Sequence, residues 1–133
     1  MILSAEQFII RNKMGAVWVF LGGGIGSVIR YLFGLLFSKS TLSLPLATLC
    51  ANIISCLIFG IALAFFTSKL QASGNLRLFL LTGICGGLST FSTFSYETFE
   101  LLKQHNYVWA SANILISLVS CVLIFYIFIG KLS

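Results

Sequence analysis

The groups in this chain that could do chemistry are hydroxyls, amides and the edges of phenyl rings. They concentrate in Gly83–Glu97, which reads GICGGLSTFSTFSYE. Ser89, Thr90, Ser92, Thr93 and Ser95 are interleaved there with Phe91 and Phe94, just after Gly83, Gly86 and Gly87. Hydroxyl and amide groups donate hydrogen bonds. A phenyl ring carries a positive edge, so an edge-on ring can replace water around an anion. Phe91 and Phe94 are three apart and share one side of a helix. Core packing is the plainer account of both rings, because the chain holds 13 Phe. A second polar set, Thr48, Asn52 and Ser55, follows i, i+4, i+7 and makes one helical stripe. An amide in hydrocarbon needs partners, from a neighbouring helix or from a water-filled pathway. A stripe favours the pathway; glue between helices is the alternative.

Other chemistry is not encoded. No nucleophile–base pair, metal-ligand cluster or phosphate loop stands out, so the chain does not read as an enzyme. Cys50, Cys56, Cys85 and Cys121 lack metal-ligand spacing and His105 stands alone, so no zinc site or disulfide is assigned. Gly22, Gly23, Gly24 and Gly26 have no GxGxxG register and follow no strand. The net charge is +5, but the eight cations are spread along the chain and form no basic patch for nucleic acid.

The elements that must position these groups are membrane helices. The chain has 133 residues, 59% hydrophobic and 8% charged, with mean hydropathy +1.06. Soluble domains carry about 25% charged residues, and one crossing of about 30 Å of hydrocarbon takes roughly 20 apolar residues. The sequence therefore predicts an all-α membrane protein, a single four-span unit over 1–133. Spans are expected at about 15–38, 45–66, 76–103 and 107–130. Residues 1–14 suit a brief interfacial helix better than a cleaved signal peptide, whose charged region should come first.

In the first span Gly22, Gly26, Arg30 and Gly34 share a face that suits close backbone packing. Arg30 either serves a function in the membrane or snorkels to the interface. Pro45 suits the start of the second span, and Ser73-Gly74-Asn75 reads as a turn. The third span is long enough for a tilt or a break. Gly86-Gly87 followed by Leu88-Ser89-Thr90 is the expected unwinding point, and freed carbonyls there suit a cation. Glu97 continues the face of Thr93 by one turn, and Glu100 with Lys103 suits a solvated pair. Arg11, Lys13, Lys69, Arg77 and Lys131 against Lys39 and Lys103 bias both termini towards the inside. Four helices of this size do not readily enclose a pore, so a homo-oligomer is expected.

GGGIGSVIRY in the first span, LATLCANIISCLIFG in the second and GICGGLSTFSTFSYE in the third resemble the Fluc (CrcB) fluoride channels, from about Gly15 onward. The resemblance implies an antiparallel, dual-topology homodimer in the cell membrane that exports fluoride passively. It implies two pores along the subunit interface. Asn52, Phe91 and Phe94 would meet the ion. Ser92 and Thr93 would form a polar track with Glu97 at its far end, and Tyr107 and Ser111 would match the family's fourth-span tyrosine and serine. Backbone carbonyls of Gly86 and Ser89 from both subunits would hold a structural Na⁺ that is not transported. Ser89 stands where many members carry Thr, which matters little to a carbonyl ligand. The charge bias is large for strict dual topology, so pairing with an oppositely oriented paralogue stays open. The alternative is a small four-span multidrug-type exporter, which relies on an acidic residue in the first span; that span has Arg30 and no acid. A structural membrane subunit would leave the polar stripes as glue.

Overall fold

The computed structural model describes residues 5–40, 45–68 and 74–130. The described elements are all helical. α1 is Ala5–Leu36 and α2 is Leu46–Ser68. The first half of the third span, here α3, joins Gly74–Arg77, a π-helical stretch Leu78–Cys85 and Gly86–Leu88. α4 is Phe91–Lys103 and α5 is Tyr107–Ile129. Four segments are long and apolar enough to cross a membrane: Lys13–Leu36, Leu46–Phe66, Gly74–Lys103 and Tyr107–Phe128. They match the four expected spans to within a few residues. Hydrocarbon offers backbone polar groups no water, and the helix satisfies them within each segment.

Three local expectations are corrected. α1 runs without interruption from Ala5, so among the described residues no separate helix precedes the first span. Gly74 and Asn75 are already helical, whereas the rest of that loop, 69–73, lies outside the described residues, as do 1–4, 41–44 and 131–133. Pro45 sits just outside α2 and accepts the Leu49 N–H at 3.1 Å, so it serves as the cap rather than the first helical residue.

The interior is built of small and polar residues. Ala51, Leu88, Ala110, Thr48, Ser55, Thr98, Asn113 and Ser117 are buried, while Phe20, Leu36, Val108 and Tyr126 are exposed. Apolar residues outside and small ones inside suit a protein in lipid, where close packing and hydrogen bonds hold helices together. Gly22 and Gly26 press α1 onto α3. A β-carbon on Gly22 would overlap Phe79 O and lie 2.9 Å from Gly83 Cα; one on Gly26 would overlap Ile84 O and lie 2.8 Å from Leu88 N. Gly83 and Gly87 answer from α3, against Gly22 and Gly23. The predicted packing face is thus real as far as Gly26. Around Gly34 there is open space, and Arg30 beside it is half-buried. Elsewhere Trp18 meets Phe79 edge-on at 6.0 Å, Phe59 meets Phe125 at 5.7 Å, and Gly60 lets α2 approach Phe128.

α4 ends in a tight reversal. Asn106 N–H reaches back to Leu101 O at 2.9 Å and His105 N–H to Leu102 O at 3.0 Å, with His105 at φ 58°. This is the Schellman arrangement, in which a left-handed residue closes the helix. It turns the chain directly into α5 and sets α5 alongside α4.

Candidate ion pathway

The third span breaks, but not at its glycines. Gly86 keeps helical angles (φ −65°, ψ −35°). The chain leaves the helix at Ser89 (φ −78°, ψ 151°) and Thr90 (φ −151°, ψ 116°). The expected unwinding point therefore shifts to the end of the Leu88-Ser89-Thr90 run. The reason lies in hydrogen-bond partners. In a continuous helix Thr90 N–H would pair with Gly86 C=O. Here it donates to Asn52 Oδ1 at 3.0 Å. Likewise Thr93 N–H would pair with Ser89 C=O, but it donates to Thr90 Oγ1 at 3.3 Å. Asn52 and Thr90 thus take the two donors that Gly86 and Ser89 would otherwise use. Upstream, the eight residues Leu78–Cys85 are wound as a π-helix. Such stretches are usually a single turn and are frequent at functional sites.

The stripe on α2 faces this break along its length. Thr48 Oγ1 donates to Glu97 Oε1 at 2.7 Å, Asn52 receives Thr90, and Ser55 Oγ donates to Cys85 O at 2.9 Å. Thr48 and Ser55 are buried struts between helices. Asn52 is both strut and lining. Its Oδ1 is occupied by an N–H, so its two Nδ2 donors are the part of the amide left for other partners.

Asn52, Cys56, Ser89, Thr90, Phe91, Phe94, Ser117, Leu118 and Cys121 enclose a cavity of about 220 Å³. The Phe91 and Phe94 rings lie 6.0 Å apart at 39°. Phe91 is 81% exposed, so the cavity is open on one flank. Thr90 Oγ1 lies 3.1 Å from both Ser92 Oγ and Thr93 Oγ1, a hydroxyl cluster on the first turn of α4. The start of a helix carries partial positive charge and favours anions. Ser117 Oγ is buried, lines the cavity and has no partner among the described residues. The arrangement offers an anion hydrogen-bond donors, two phenyl rings and a helix start.

Of the residues expected here, the structure gathers Asn52, Phe91 and Phe94 at the cavity, with Ser92 and Thr93 beside it. Glu97 lies farther along, in a separate recess with Pro45, Tyr96 and Glu100. Its Oε2 is buried without a partner among the described residues. Glu100 and Lys103 do pair, at 3.8 Å. Arg30 is not among the residues lining the cavity. Tyr107 and Ser111 are not brought in: both are exposed on α5, and Tyr107 OH lies 3.1 Å from His105 Nδ1. Ser117, farther along α5, stands at the cavity instead. Asn113 belongs to the same face of α5 and is absent from the expected set. It is 1% exposed and donates through Nδ2 to Thr98 Oγ1 at 2.8 Å, while Thr98 donates to Phe94 O at 2.8 Å. Asn113 and Ser117 are four apart on one face of α5, a signal that was available in the sequence.

Gly86 and Ser89 line a neighbouring recess of about 190 Å³ with Ser55, Cys85 and Phe125. Open space surrounds Gly86. Two carbonyls whose usual helical donors are diverted elsewhere fit a small hard cation, which prefers oxygen ligands.

Comparison with known proteins bears on the same residues. A family model described as CrcB-like protein, Camphor Resistance (CrcB), matches residues 17–130. The chain is 42% identical over 101 residues to the fluoride-specific ion channel FluC of Escherichia coli O1:K1, covering 76% of this chain and 80% of that one. It is 41% identical over 100 residues to FluC of Serratia proteamaculans, with 75% and 79% covered. It is 40% identical over 99 residues to FluC 1 of Yersinia pestis, with 74% and 78% covered.

Proposed function

This chain belongs to the CrcB family, and from that membership and the cavity at the helix break we propose that it is a fluoride-selective channel of the cell membrane. The observation that carries the reading is the Asn52–Thr90 hydrogen bond beside the Phe91–Phe94 pair. It couples the amide, the break and the two rings into one wall.

Fluoride is small and strongly hydrated, so a path for it must replace water with donors. Asn52 Nδ2, Ser117 Oγ and the Ser92–Thr93 hydroxyls supply hydrogen bonds, and the Phe91 and Phe94 ring edges supply positive quadrupole. None carries a full positive charge, which would trap the ion. The Thr98–Asn113 relay holds the backbone of Phe94 against α5. Export then follows the fluoride gradient.

The active form in this reading is a homodimer with its two subunits antiparallel. The exposed ring of Phe91 supports it, because a lone subunit leaves the path open to lipid on that flank. Gly86 and Ser89 carbonyls would hold a structural Na⁺, which supplies charge to pin the crossing third spans together. The exporter alternative gains nothing from the structure, since the half-buried charge of the first span remains Arg30.

Fluoride efflux from liposomes holding the purified protein alone tests this. Efflux selective over chloride, strongly reduced in Phe91→Ala, is expected. Equal flux of both anions, or none from the protein alone, would overturn the assignment to a self-sufficient fluoride channel.

A further inference from the structure

Cys56 of α2 and Cys121 of α5 both line the cavity beside Asn52 and Phe94. Cys121 Sγ also lies 3.9 Å from Asn52 O, one helical turn before Cys56, which fixes α5 against this stretch of α2. Neither residue forms a disulfide. In sequence they are too far apart for any spacing rule, so only the fold reveals the pair.

We infer that Cys56 and Cys121 form a two-thiol site in the pathway wall that captures a soft, two-coordinate d¹⁰ metal ion and thereby blocks conduction. Soft thiolate ligands select such ions over hard ones. Capture of Hg(II) converts two S–H bonds to two S–Hg bonds and releases two protons to water; no electrons are exchanged. The product is a neutral bis-thiolate, which low-dielectric surroundings tolerate far better than a charged complex. No third ligand is needed, and among the described residues no cluster of three metal-binding side chains exists. The bound ion would bridge α2 and α5 beside the Asn52 amide. Capture of metal rests on the thiol pair alone. Block of flux rests also on the proposed pathway.

The probe is Hg(II), titrated into the full-length protein in detergent and followed by the near-ultraviolet sulfur-to-mercury charge-transfer band under competition from a free monothiol. One Hg(II) per chain should resist the competitor. Cys56→Ser and Cys121→Ser should each weaken retention on the order of a hundredfold or more, the advantage of a second attachment on one scaffold, whereas Cys50→Ser should not. Loss of retention in Cys50→Ser, or its survival in both Cys56→Ser and Cys121→Ser, overturns the site. In liposomes, Hg(II) should stop wild-type fluoride efflux reversibly with a dithiol, and each variant is compared with its own metal-free flux. Tight capture without block would remove the pair from the conducting wall. Absence of any fluoride flux without metal would instead overturn the channel reading and leave the binding result standing.

Discussion

Asn52 is the residue whose replacement separates the two roles assigned to the break. Its Oδ1 accepts Thr90 N–H at 3.0 Å. In Asn52→Ala that N–H either stays unpaired or returns to Gly86 C=O. The first outcome costs about 1–3 kcal/mol of folding stability. The second restores the helix and consumes the Gly86 carbonyl. The second avoids the unpaired donor and is therefore favoured, and it removes the carbonyl arrangement that the proposed Na⁺ site uses. Asn52→Asp is different. A carboxylate still accepts Thr90 N–H, so the break survives, but the Nδ2 donors are replaced by negative charge. Repulsion between unit charges at 4 Å is about 4 kcal/mol at an effective dielectric near 20, enough to suppress anion occupancy more than about a hundredfold. Both variants should therefore lose fluoride efflux in liposomes. Only Asn52→Ala should lose stabilisation by Na⁺, which for a bound ion at about a hundred times its Kd amounts to roughly 2.7 kcal/mol. Thermal unfolding in detergent with Na⁺ or with an impermeant organic cation reads this directly. An Asn52→Ala protein that keeps its Na⁺ response, or an Asn52→Asp protein that conducts like wild type, would refute the reasoning.

Other outcomes follow from the packing and the caps. Gly26→Ala should destabilise by about 1–3 kcal/mol because its methyl meets Leu88 N and Ile84 O, whereas Gly24→Ala, in open space, should be neutral or gain about 0.5–1 kcal/mol; equal unfolding midpoints in detergent would contradict the backbone contact. His105→Gly should stabilise by about 1 kcal/mol, because His105 occupies the left-handed region that costs a side chain about that much. A lower unfolding midpoint would show that the imidazole–Tyr107 contact outweighs it. Thr98→Val leaves buried Asn113 without its acceptor and should cost about 1–3 kcal/mol, which a comparison of unfolding curves checks. Ser117→Ala should lower fluoride flux with little effect on stability, since its hydroxyl has no partner among the described residues to lose; unchanged flux would place it outside the path.

Much of this was readable from the residues because lipid makes the reading simple. Apolar runs become helices, and polar atoms inside them need an explanation. That logic finds the four spans, the need of Asn52 for a partner on another helix and the α1 glycine face. It places the break only to within the Gly86–Thr90 run, because composition shows where helix is weak, not which donor leaves it. Gly86 and Gly87 are poor helix formers, yet they stay helical, with Gly87 held by contact with Gly23. Ser89 and Thr90 leave because Asn52, on another helix, outcompetes Gly86 for one N–H. The π-helical winding of Leu78–Cys85 has no pattern in its apolar sequence. Tyr107 and Ser111 match a short motif, but the Schellman reversal at His105 sets the rotation of α5, and that rotation turns Asn113 and Ser117 inward instead.

The meeting of α1 with α3 has a consequence for how the chain is made. The two glycine faces are separated by roughly sixty residues, including the whole of α2. At a synthesis rate of about 5–20 residues per second, Gly22 leaves the ribosome several seconds before Gly83. For that interval the first helix stands in the bilayer with its closest-packing surface against lipid. Association cannot be completed helix by helix in order of emergence; it waits for the third insertion. A bulky residue at Gly22 would therefore leave the first two insertions untouched and stop assembly at one late step, giving a protein inserted into the membrane but not folded.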